Sequence, residues 1–251
     1  MPKYIKLTET RSTNTYLKRM AGLLPGGTVI YTYRQTAGRG QKGNSWESED
    51  GKNLSFSMLL KRPCIEVKQQ FYISEGVALA VAQMLSQHTS GIKIKWPNDV
   101  YYHDSKMCGI LIENSLGAHG GIDYSVAGVG ININQEHFKS DAPNPISLRN
   151  VTGRDHDLEQ LLHDVCERIE RLCDFSQATP ATLKALHESF LGMLYRNDGQ
   201  LHDWELPDGT QFQAKITGVA PDGMLSLERA DGTAASYAFK QVKHVINQVT
   251  L

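Results

Sequence analysis

Cysteine is scarce in this chain: four residues, Cys64, Cys108, Cys166 and Cys173, with no C-x-x-C pair among them. That leaves no paired-cysteine motif and predicts small core side chains in a reducing compartment. Neither sign of charge prevails, since 26 Lys and Arg stand against 27 Asp and Glu. Composition therefore gives no general pull toward nucleic acid or a membrane surface. No apolar run approaches the length of a membrane span, and Met1-Pro2-Lys3 passes into Tyr4-Ile5-Lys6-Leu7 without the hydrophobic region of a signal peptide. The expectation is a cytoplasmic protein with no membrane partner. Repeats and low-complexity tracts are missing, and no Ser-His-Asp or Cys-His arrangement stands out. His163 and Cys166 share a helical spacing but have no third ligand at zinc spacing, so a helix histidine beside a buried cysteine is the preferred reading.

What is present begins with length. A chain of 251 residues can hold one large domain with a sizeable core and a small appendage. Its most informative stretch is Gln35-Thr36-Ala37-Gly38-Arg39-Gly40-Gln41-Lys42-Gly43-Asn44-Ser45-Trp46, where three glycines alternate with two cations and an aromatic residue closes the run. Glycine lets backbone N–H groups approach an oxyanion, and arginine adds forked, charge-assisted bonds, so the loop suits an anionic phosphoryl ligand. The spacing Gly38-x-Gly40-x-x-Gly43 also fits a dinucleotide fingerprint, but a turn-forming cluster and a strand-like run follow instead of a helix. No Gly-Lys-Ser/Thr triplet makes it a Walker A loop. A glycine-rich hairpin without a ligand is the plain alternative.

Alternation predicts strands at 29–33 and 54–60 flanking this loop, and further strands at 93–95, 107–112 and 124–131. A turn is expected at Asn98-Asp99. Helices are expected over 69–88, despite Gly76, and over 157–175, where Leu158, Leu161, Leu162, Val165, Ile169 and Leu172 share one face. After residue 195 the triplets Pro207-Asp208-Gly209, Pro221-Asp222-Gly223 and Ala230-Asp231-Gly232 punctuate short strand-like segments, the pattern of a small antiparallel barrel. The predicted division is residues 1–195 and 196–251.

Four more segments rich in polar ligand-holding groups stand beside these strands: Glu9 to Asn14, Lys93 to Val100, Lys106 to Glu113, and Val126 to Asn134. In this order with the glycine-rich loop, and over roughly residues 4 to 195, they resemble the catalytic domain of biotin protein ligases. That resemblance implies an α+β fold: a mixed sheet flanked by helices, class II synthetase-like, followed by an SH3-like C-terminal barrel. It implies activation of biotin with ATP and Mg²⁺ to biotinyl-5′-AMP, then transfer to a lysine of the biotin-carrier domain of a biotin-dependent carboxylase. Some relatives carry an N-terminal DNA-binding module; here the Ser12-Thr13-Asn14 segment begins almost at once, so DNA is not an expected partner. A homodimer is compatible with the family and is left open.

Residue by residue, the resemblance gives Ser12, Thr13, Asn14 and Gln35 to the ureido ring of biotin, with Gly40, Gln41 and Gly109 beside it. Arg39 and Lys106 become the catalytic pair that gathers carboxylate and α-phosphate. Gly38, Arg39, Lys42, Gly43, Trp46, Lys95, Asn98 and Asn132 form the ATP and adenylate set, and Asp99 is the candidate for Mg²⁺. Plain readings stand beside these: Ser12 as a helix N-cap, Asn98 and Asp99 as turn formers, Trp46 as packing. One departure is that Gln41 and Asn44 occupy positions where the family commonly has arginine, with Lys42 a substitute lacking the forked geometry. The competing functions are a lipoate–protein ligase and a non-enzymatic biotin- or nucleotide-binding module.

Overall fold

The computed structural model describes residues 2–41, 44–117, 121–139 and 144–246. Its framework is a seven-stranded sheet in the order β1 (Lys3–Lys6), β2 (Thr28–Thr32), β5 (Leu54–Lys61), β9 (Ile122–Ile131), β8 (Ser105–Leu116), β7 (Asp99–Tyr102), β6 (Ile92–Lys95). β1 and β2 pair in parallel, and each other neighbouring pair is antiparallel. Two short strands, β3 (Gly38–Arg39) and β4 (Ser45–Trp46), form a separate hairpin within the glycine-rich stretch.

Alternation along β5 decides what each face of the sheet carries. Leu54, Phe56, Met58 and Leu60 join the main core, whereas Leu59 joins a second cluster with Leu17, Ala21, Ile30 and Val126. The period of two therefore sends Ser55 and Ser57 to the second face. The main core is closed by α2 (Phe71–Leu85), which packs against α4 (Leu158–Leu172) and α5 (Pro180–Met193). Because α2 is apolar nearly all round, it lies buried between the sheet and the other helices. Gly76 is the point of closest approach: a Cβ there would lie 2.7 Å from Cys173 Sγ. The second face is covered in part by α1 (Thr13–Met20), which rests on β5 and β9. Ser12 starts that helix, its extended backbone allowing the hydroxyl to accept from Thr15 N. The remaining helix, α3 (Leu148–Thr152), follows β9.

The strands and helices expected from periodicity all occur, with ends moved by a few residues. The turn expected at Asn98-Asp99 lies one step earlier, over residues 96–98, and Asp99 opens β7. Three cysteines are buried as predicted; Cys64 is exposed, in a left-handed backbone conformation. His163 stacks on Tyr4 at 4.1 Å between ring centroids.

Beyond α5 the chain builds an antiparallel sheet from β10 (His202–Glu205), β11 (Gln211–Val219), β12 (Leu225–Arg229), β13 (Ala234–Tyr237) and β14 (Lys243–His244), in the order β13-β12-β11-β10-β14. The three Asp-Gly turns share one construction. Asp208, Asp222 and Asp231 each accept from the backbone N–H two residues on, and the glycines that follow take positive φ. Fully buried Trp204 centres this barrel and donates to Ala214 O. The barrel is bonded to the segments before it: Trp96 Nε1, in the turn after β6, donates to Gly223 O at 2.9 Å, and Arg196, between α5 and β10, donates to Val245 O at 3.0 Å. No helix among the described residues is long and apolar enough to cross a membrane.

Candidate active site

Where α1 leaves the second face uncovered, the sheet is floored by small residues. Register sets Gly130 between Ser55 and Gly109, and Gly128 between Ser57 and Leu111. Side chains from outside the sheet come down onto this floor. A Cβ on Gly130 would lie 2.5 Å from the Trp46 indole and one on Gly109 2.9 Å from it, while one on Gly128 would collide with the Asn14 amide. Above the floor opens a cavity of about 930 Å³, bounded on its far side by the barrel residues Trp204, Leu206 and His244.

One end of the cavity is a buried hydrogen-bond lattice. Gln35 Oε1 accepts from Thr13 N at 2.9 Å and from its hydroxyl at 3.3 Å. Ser57 Oγ reaches Thr13 Oγ1 at 2.8 Å and Asn14 Oδ1 at 2.5 Å. Asn14 Nδ2 donates to Leu111 O at 3.1 Å and to Glu113 at 3.2 Å. These bonds fix both amide orientations and leave Gln35 Nε2 without an acceptor among the described residues and Asn14 Oδ1 with a second lone pair. The lattice offers a neutral ligand both donors and acceptors.

The other end is cationic. Lys106 Nζ lies 2.8 Å from Asp99 Oδ1 and 5.8 Å from the Trp46 ring centroid. Lys95 sits over the Tyr101 ring at 5.2 Å and makes no ion pair among the described residues. Burial pushes its ammonium below the ordinary value, Asp99 opposing the shift and Lys106 and Arg196 adding to it. Beside it His244 is pushed down to about 2, by burial first and then by Lys95, Arg196 and His202, so its ring stays neutral. An anion entering here would meet the buried Lys95 and, beside it, Lys106 paired with Asp99. Three buried polar atoms of cavity-lining residues have no partner among the described residues: Gln41 Oε1, Trp46 Nε1 and Asn132 Oδ1.

Between the two ends hangs the β3–β4 hairpin. Gly38 is required there because a Cβ would lie 2.6 Å from Trp46 O, and Gly40 N closes the loop onto Asn44 O at 2.7 Å. Arg39, half-exposed, pairs with Glu113 at 3.1 Å. Residues 6–132 match the family model of the biotin/lipoate A/B protein ligases. The chain belongs to that family. Among curated relatives, the bifunctional ligase/repressor BirA of Bacillus subtilis is 30% identical over 223 residues, covering 85% of this chain and 65% of that protein. A biotin–[acetyl-CoA-carboxylase] ligase of Paracoccus denitrificans is 31% identical over 163 residues, covering 62% of this chain and 67% of its own. The chain thus spans about two thirds of the length of these relatives. Among solved structures, the biotin protein ligase of Aquifex aeolicus in complex with biotin and ATP superposes with a TM-score of 0.78 at 25% identity, covering 98% of this chain and 100% of that one.

Within this ligase fold, one cavity brings together Ser12, Thr13, Asn14, Gln35, Arg39, Gly40, Gln41, Trp46, Lys95, Asn98, Asp99, Lys106, Gly109 and Asn132. Gly38 stands behind it in the hairpin, and Lys42 and Gly43 lie outside the described residues. Two of these side chains also make contacts within the protein. Asn98 Nδ2 donates to Ile110 O and so braces the β6–β7 turn against β8, and Asp99 is engaged by Lys106. Ser57 and Glu113 went unassigned in the sequence, although both belong to the hydrogen-bond lattice. Their available signal was strand alternation, which sets Ser57 opposite Phe56 and Met58 and sets Glu113 on the face of Gly109 and Leu111.

Proposed function

We propose that the chain is an ATP-dependent biotin protein ligase. The observation that carries this reading is a single cavity with a neutral donor–acceptor lattice at one end, Lys95 and Lys106 at the other, and Arg39 between them. A carboxylate does not acylate an amine at neutral pH, so the reaction needs a mixed anhydride. The cavity is suited to hold both of its precursors. Thr13, Asn14 and Gln35 would take the ureido ring, and Arg39 and Lys106 would draw carboxylate and α-phosphate together and offset the charge that gathers on the phosphoryl oxygens. Trp46 and Asn132, which line the cavity, would border the adenylate.

Magnesium would supply charge neutralisation on the phosphates. Among the described residues no cluster of three His, Cys, Asp or Glu could hold a metal by itself. Asp99, a carboxylate beside Lys95 and Lys106, fits a metal held mainly by ATP oxygens and water. The second half-reaction would pass the biotinyl group to a lysine of a biotin-carrier domain. Pyrophosphate exchange into ATP tests the first half-reaction: biotin should support it and lipoate should not. Exchange with lipoate alone would make this a lipoate ligase, and binding of biotin without exchange would make it a binding module.

A further inference from the structure

Glu113 has a place in the site that the ligase chemistry leaves without a role. Three side chains from two other elements converge on its carboxylate. Arg39 of the glycine-rich hairpin lies 3.1 Å from Oε2, Asn14 Nδ2 lies 3.2 Å from the same oxygen, and Lys18 lies 2.9 Å from Oε1. Asn14 and Lys18 are one turn apart on α1, so one carboxylate ties the hydrogen-bonding helix to the loop. The two cations are equally exposed but differ in mounting and in alternatives. Arg39 is about half-exposed, at 48%, on a short hairpin, and a forked guanidinium pairs better with a phosphate than with a single carboxylate oxygen. Lys18 sits on α1, a helix seated on the sheet, and unlike Arg39 does not line the cavity where a phosphate would enter.

We propose that Glu113 is a positioning residue: it holds Arg39 beside Asn14 until ATP arrives and then yields it to the α-phosphate, while Lys18 keeps the vacated carboxylate compensated. This rests on the ligase reading of the same cavity. Before ATP binds, the Arg39–Glu113 pair keeps the hairpin down over bound biotin. Afterwards the same pair competes with the phosphate. Holding a guanidinium requires an ionised carboxylate, and the surroundings of Glu113 keep it so. Burial raises its pKa, but the bonds from Lys18 and Asn14 and the charges of Lys18 and Arg39 outweigh burial and hold it below the usual carboxylate range.

Two variants with opposite expected signs test the idea. Glu113→Gln keeps an amide oxygen for Asn14 but removes the charge that holds Arg39. Radiolabelled biotin should dissociate from the binary complex roughly two- to fivefold faster, while the KM for ATP at saturating biotin falls or stays level. Lys18→Ala leaves Glu113 with Arg39 as its sole cation, so biotin should dissociate no faster than from wild type and the KM for ATP should rise by a similar factor. A merely structural role would move both variants the same way. Like-signed shifts in the two variants, or an unchanged biotin off-rate in Glu113→Gln, would overturn the proposal, and if Glu113→Gln does not fold, a lowered ATP KM in Lys18→Ala does so. Wild-type protein that neither binds biotin nor exchanges pyrophosphate would instead remove the ligase reading itself.

Discussion

Gly130 shows how little room the floor of the site leaves. Its missing Cβ is the space filled by the Trp46 indole, and a methyl group there would lie 2.5 Å from Nε1 and Cε2. Trp46 belongs to a two-stranded hairpin rather than to the large sheet, so the hairpin should give way before β9 does. Gly130→Ala is therefore expected to raise the KM for ATP while shifting thermal stability by no more than about 1–3 kcal/mol, the ordinary range for overpacking. Tryptophan fluorescence with ATP titration checks both halves, and unchanged ATP affinity would separate Trp46 from the adenylate. Lys106 is the second residue-scale case. Lys106→Ala should suppress adenylate formation by roughly 2–4 kcal/mol in transition-state stabilisation, and supplying purified biotinyl-AMP should restore much of the transfer. Equal losses with and without supplied adenylate would show that Lys106 serves both half-reactions.

At the scale of elements, the contact between α2 and α5 contains a buried, strongly perturbed carboxylate. Glu75 is fully buried and meets His187 Nδ1 at 2.8 Å, and its second oxygen has no partner among the described residues. Burial raises its pKa from 4.5 to about 7, against the lowering effect of His187. A raised folded value means that the group's stabilising contribution is whole below 4.5 and is lost as pH rises through about 7. Glu75→Gln, which resembles the protonated form, should match wild type near the lower value and exceed it above the upper one by up to about 3 kcal/mol. Denaturant melts at both ends of that window decide this, and an equal difference at both would contradict it. The elements themselves were largely legible in sequence, because β5 alternates and α4 repeats its apolar residues at three and four. α5 was not read, although Thr179 and Pro180 form a recognisable start with a capping box. β7 was hidden by the polar turn that precedes it.

At the scale of the whole molecule, the site is one cavity with walls from two sheets. Ligand-type groups were legible singly, as glycines, lysines and amides in five segments. Their grouping was not, because Ser57 meets Asn14 across 43 residues and Glu113 meets Arg39 across 74. Only strand register sets such pairs, and no local pattern reports it. The barrel's share of the wall, through Trp204 and His244, was equally invisible. That share can be isolated. Gly223 takes φ +92°, and its Cβ would lie 2.8 Å from the ring of Phe71, the first residue of α2, at the joint between barrel and large domain. Gly223→Ala should strain that joint by about 1–3 kcal/mol, raising the KM for ATP and leaving biotin affinity unchanged. A parallel loss of biotin affinity would mean that the two ends of the cavity are not independently built.

Ligase activity requires that this one cavity join its hydrogen-bond lattice to its cationic end, so that biotin is activated and passed on. Incubation of the protein with biotin, MgATP and a biotin-carrier domain, followed by mass spectrometry of the carrier, tests it most directly. The expected result is one biotinyl adduct on one carrier lysine, dependent on ATP and strongly reduced in Arg39→Ala. An unmodified carrier, or equal modification by wild type and Arg39→Ala, would contradict it.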